Sequence, residues 1–70
     1  MRFTLMNKHM DGTLHPRGVV NDTRMTLSMF QKAFKAMPAD AGTEAKTRHL
    51  PPGSTVWKAE DGRVLAIVPE

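Results

Sequence analysis

The sequence predicts an α+β domain of β-β-α-β-β order, with one amphipathic helix packed on an antiparallel sheet made of two Asp-Gly hairpins. Three observations carry this. Between Thr26 and Met37, Leu27, Phe30, Ala33, Phe34 and Met37 fall on one side of a helical wheel, and Ser28, Gln31, Lys32 and Lys35 on the other. That is the period of a helix with one buried face. Thr55–Glu60 and Arg63–Val68 are apolar, β-branched runs on either side of Asp61-Gly62, a hairpin signature. Asp11-Gly12 follows the alternating Arg2-Phe3-Thr4-Leu5 in the same way, so a second hairpin is expected. The bounds read as a hairpin over about 2–17, a helix over about 23–37, a loop or ambiguous segment over 38–53 and a hairpin over 54–69.

In the first hairpin, a two-residue type I′ turn at Asp11-Gly12 sets His9 opposite Leu14 and Lys8 opposite His15. Pro16 then ends the return strand early, because proline cannot donate to a ladder. Gly18–Thr23 reads as a connector or a brief extended segment. Either Asp22 or Thr26 can cap the helix, since both offer a short side-chain acceptor. Pro38 disfavours helical geometry at Met37, so the helix stops there or one residue earlier. Residues 43–49 hold too few apolar side chains to assign, and Leu50-Pro51-Pro52-Gly53-Ser54 is a rigid connection.

In the last hairpin, the same two-residue turn pairs Glu60 with Arg63, Ala59 with Val64, Lys58 with Leu65, Trp57 with Ala66 and Val56 with Ile67. Trp57, Ala59, Val64, Ala66 and Val68 then share one face, and Val56, Leu65 and Ile67 the other. The final strand is apolar on both faces, unlike a half-solvated antiparallel strand. One helix covers one face only. The other is covered by the first hairpin and residues 43–50, or it is left for a partner.

Seventy residues make one domain with a small core, and no cysteine is present to staple it. No apolar run approaches the roughly 20 residues of a membrane span, and the N-terminal stretch lacks the features of a signal peptide. A cytoplasmic protein without membrane contact is expected. The charge of +3 is uneven. Residues 1–38 carry six basic side chains against Asp11 and Asp22, a net +4, whereas residues 39–70 are at −1. The basic half suits a polyanion or an acidic protein surface.

No phosphate-binding glycine loop, nucleophile elbow or helix-borne pair of carboxylates occurs, so no catalytic residue and no cofactor is assigned. His9, Asp11 and His15 surround a turn, but the expected register sends the two histidines to opposite faces. They read as solvated loop residues rather than metal ligands, and His49 has no evident neighbour.

The leading expectation is a small non-catalytic binding protein that inhibits or modulates a larger cytoplasmic protein by occupying its surface. Met29, Val56, Leu65 and Ile67 would form its apolar contact. Arg17, Arg24, Lys32 and Lys35 would form a basic rim that steers it to an acidic target. The profile resembles compact accessory proteins of bacteria or their phages in size and simplicity, without a motif. The alternatives are nucleic-acid binding through the same basic residues and a homodimeric structural module.

Overall fold

The computed structural model describes all residues from Met1 to Glu70. Its elements are β1 (Arg2–Lys8), β2 (Leu14–Asn21), α1 (Leu27–Phe34), β3 (Met37–Pro38), α2 (Ala41–Lys46), β4 (Thr55–Lys58) and β5 (Val64–Val68). The strands form one sheet in the order β2-β1-β5-β4-β3, and every neighbouring pair is antiparallel. This is a small α+β domain. The two terminal strand pairs meet through β1 and β5, with β2 and β3 at the edges.

Both turns differ from the expected two-residue form. His9 N donates to Thr13 O at 2.8 Å and Gly12 N to His9 O at 3.0 Å; Ala59 N donates to Arg63 O at 2.8 Å and Gly62 N to Ala59 O at 3.0 Å. Each loop therefore has three residues and needs a positive φ only at its glycine, 85° at Gly12 and 94° at Gly62. A type I′ turn would force the aspartate to positive φ as well. Instead, Asp11 Oδ1 and Asp61 Oδ1 each accept the N–H two residues on, from Thr13 and Arg63, at 3.0 Å.

The extra loop residue slips both registers by one position. Lys8 pairs with Leu14 and Asn7 with His15. Lys58 pairs with Val64, Trp57 with Leu65, Val56 with Ala66 and Thr55 with Ile67. A slip of one exchanges the faces of a strand. Phe3, Leu5, Trp57, Leu65 and Ile67 now share one face, while Thr4, Met6, Val56, Val64, Ala66 and Val68 share the other.

The strand β2 also outlasts its expected end. Pro16 pairs with Met6 and the ladder continues to Asn21. Two features permit this: β2 is an edge strand, and the register shifts between Met6 and Thr4, where Arg17 and Gly18 stand opposite Leu5. Edges and bulges are the places where a strand tolerates proline.

Helix α1 is capped by Thr26, whose Oγ1 accepts from Met29 N at 3.2 Å. It ends at Phe34, three residues short of Met37, with Lys35 in the left-handed conformation at φ 48°. Met37 cannot be helical before Pro38, and Met37-Pro38 instead joins the free edge of β4. Phe30 is fully buried. Its ring meets Phe3 at 5.4 Å, Phe34 at 5.2 Å and Trp57 at 6.2 Å between centroids. With Ala59 and Leu65 these residues form the core on the helix face.

The opposite face is buried too, at Thr4, Val56, Ala66 and Val68. From β3 at one edge, the chain crosses to β2 at the other. There Thr47 bridges to Leu14 in parallel, and Arg48 N donates to Leu14 O at 2.8 Å. It then returns to β4. The crossover includes α2, capped by Asp40 through Thr43 N at 2.7 Å. The segment without an apolar period is thus the second cover that β5 requires.

Candidate functional site

The expected apolar contact is not one surface. Leu65 is fully buried and Ile67 is half-buried, both in the helix-face core. Val56 is buried on the opposite face. Met29 alone is open, at 50% exposure. The cause is the register slip, which moves Leu65 and Ile67 under the helix. The expected basic rim is also dispersed. Arg17 lies in the β2 bulge, Arg24 follows Asp22 in a turn, Lys32 stands on α1, and Lys35 sits just past its end, paired with Glu60 at 3.2 Å.

A different cationic site emerges at the end of the sheet where both turns lie. A cleft of about 290 Å³ opens between α2 and the face opposite α1. Met6, Leu14 and Val64 supply its apolar part, Thr43 and Lys46 come from α2, and Lys8 and Lys58 come from the sheet. Lys8 is the last residue of β1 and Lys58 the last of β4. The registers send both to the same face.

No ion pair involves Lys8, Lys46 or Lys58. Arg63 also borders the cleft. Its guanidinium, however, is held 2.7 Å from Asp61 Oδ2 and lies over the Phe34 ring at 5.5 Å. The nearby Asp40 carboxyl is held below the usual carboxylate range, first by its hydrogen bonds from Thr43 and then by the fields of Lys58 and Lys46. Three lysines thus line a cleft with an apolar floor, with Asp40 as the acidic neighbour. The volume is at the small end of ligand pockets, which suits one or two side chains or a single anionic group.

Sequence reasoning missed Lys8, Lys46 and Lys58, although two of them carry a signal. Lys8-His9-Met10-Asp11-Gly12 and Lys58-Ala59-Glu60-Asp61-Gly62 repeat the pattern Lys-x-x-Asp-Gly. Identical loops place the two lysines alike at the mouths of the two hairpins.

A second cluster lies beside the first turn. The rings of His9 and His15 stack at 3.7 Å, and His49 approaches His15 at 4.9 Å. The slipped register puts His9 and His15 on one face as diagonal neighbours, not on opposite faces. The crossover brings His49 to them. The rings chain through His15 and form no set of three ligands able to hold a metal ion.

No helix is long and apolar enough to cross a membrane. Comparison with protein-family models, with curated proteins and with solved structures yields no match.

Proposed function

We propose that this is a small, non-catalytic binding protein that modulates a larger cytoplasmic protein by taking an acidic segment of it into the cleft beneath α2. The observation that supports this is the trio of Lys8, Lys46 and Lys58, none in an ion pair, around the Met6–Leu14–Val64 floor. Unpaired ammonium groups attract carboxylates, and the apolar floor gives a neighbouring aliphatic side chain a place to be buried.

The test is binding of a fluorescein-labelled hexaglutamate peptide at low salt. Lys8→Glu and Lys58→Glu are each expected to weaken it roughly tenfold, about 1.4 kcal/mol. Partners captured from the source cell by wild type should be lost with the double variant. Equal hexaglutamate affinity in wild type and double variant refutes the reading.

Nucleic acid is the second reading, because the same lysines suit phosphates. It has less support. Trp57 packs against Phe30 on the helix face and offers no stacking platform beside the lysines. Oligonucleotide binding with a log–log salt slope of about −2.7, set by three lysine–phosphate contacts, would favour it.

A further inference from the structure

We propose that His9, His15 and His49 form an acid-sensitive clasp that fixes the crossover, and with it α2, over the lysine cleft. The inference rests on the cleft reading for its consequence alone. The geometry stands by itself. His9 and His15 belong to the first hairpin and His49 to the crossover, and the rings meet at 3.7 Å and 4.9 Å. Next to them, Thr47 bridges to Leu14, and Arg48 N–H donates to Leu14 O at 2.8 Å. These contacts begin one residue after α2, which ends at Lys46. His49 holds a left-handed φ of 62°, an uncommon conformation for a residue other than glycine.

A short relay fixes the proton on His15. Thr13 Oγ1 lies 2.6 Å from Asp11 Oδ1 and 2.9 Å from His15 Nε2. Ionised Asp11 can only accept, so the hydroxyl hydrogen goes to it. Thr13 Oγ1 then accepts from His15 Nε2–H, which leaves Nδ1 as the basic position. A proton arriving there creates a cation stacked on His9 and beside His49. The charged groups facing His15 are His9 and Asp11 from the hairpin, and Arg48 and His49 from the crossover. Only Asp11 favours the charged form. Burial first, then His9, His49 and Arg48, hold the His15 pKa below its ordinary 6.5.

The sign follows from linkage. A depressed base binds fewer protons folded than unfolded, so its contribution is complete above pH 6.5 and erodes as pH falls below it. Protonation therefore loosens the contact that ties the crossover to β2. Lys46 and Thr43, carried by that segment, leave the cleft wall with it.

The direct readout is amide exchange of Arg48, corrected for its intrinsic rate, at about pH 7.5 and about pH 5.5. Protection should fall roughly fivefold to tenfold in wild type at the lower pH. His15→Phe keeps an aromatic ring but cannot titrate, so its protection should not change. If that variant fails to fold, His15→Gln, which keeps a donor for Thr13 Oγ1 and cannot titrate, makes the same test. Unchanged protection in wild type, or equal loss in wild type and the His15 variant, overturns the clasp. Hexaglutamate binding at about pH 7.5 keeps the two ideas apart. Its absence there, with Arg48 still responding to pH, refutes the cleft and supports the clasp.

Discussion

Replacing Phe30 by alanine tests the architecture at its most consequential position. Its side chain has no solvent exposure, and its ring makes edge or tilted contacts with Phe3, Phe34 and Trp57. Those three partners come from β1, α1 and β4, so one truncation unseats the helix from two strands at once. Burial of such a ring removes about 200 Å² from water, and phenylalanine-to-alanine changes in cores cost about 3–5 kcal/mol once the cavity is included. A chain of this length is stable by about 4–10 kcal/mol. A loss of about 4 kcal/mol removes between about two fifths and all of that stability, with Tm lower by about 16–32 °C. Urea titration followed by far-UV circular dichroism measures it, with the m-value held constant between variants. A loss below about 1.5 kcal/mol would refute the docking of α1 on this face. A double-mutant cycle adds the register. Leu65 shares the core cluster of Phe30, so Leu65→Ala should couple to Phe30→Ala. Val56→Ala, on the opposite face, should add within about 0.5 kcal/mol.

Gly62→Ala probes the turn: an added Cβ would meet nothing within 4 Å, so the cost is backbone strain at φ 94°, about 1 kcal/mol from the urea midpoint shift multiplied by the m-value. Thr26→Ala removes the acceptor for Met29 N and should cost about 1 kcal/mol by the same assay, whereas Asp22→Ala leaves the helix cap intact. Asp11, Asp40 and Asp61 are all held below their ordinary pKa of 3.8, led respectively by the Thr13 side chain, the Thr43 N–H and the Arg63 N–H. Their stabilising effect is therefore complete above pH 3.8 and is lost as pH falls through the folded-state values. An acid titration of Asp61→Asn should show a shallower loss in that window than wild type.

The legible parts of the fold were those set by periodicity, and the illegible ones turned on a single residue. Phe30 and Phe34 announce the buried side of α1 because the 3.6-residue period brings both to one stripe. Both faces of β5 carry apolar residues, and the folded chain buries residues on both. Asp-Gly, however, fits both a two-residue and a three-residue loop, and only the side-chain acceptor at the aspartate selects the latter. That choice moved Leu65 and Ile67 from a supposed outer surface into the core. It also brought His9 and His15 together. The cover supplied by the crossover carries no apolar period, because α2 is six residues long and buries none of them. It is held by Asp40, by the Leu14 bridge and by the bond from Arg48.

The cationic site is hidden in the sequence for a related reason. Charge summed along the chain favours residues 1–38 and makes residues 39–70 look acidic. Yet Lys46 and Lys58 lie in that acidic half, and only Lys8 comes from the basic one. What matters for a ligand is the field in a cleft, where Glu60 and Asp61 are already spent on Lys35 and Arg63. Folding sorts charges by partner rather than by position in the sequence. The acidic half therefore contributes two of the three free ammonium groups, and the repeated Lys-x-x-Asp-Gly pattern is the sequence feature that foretells where two of the three stand.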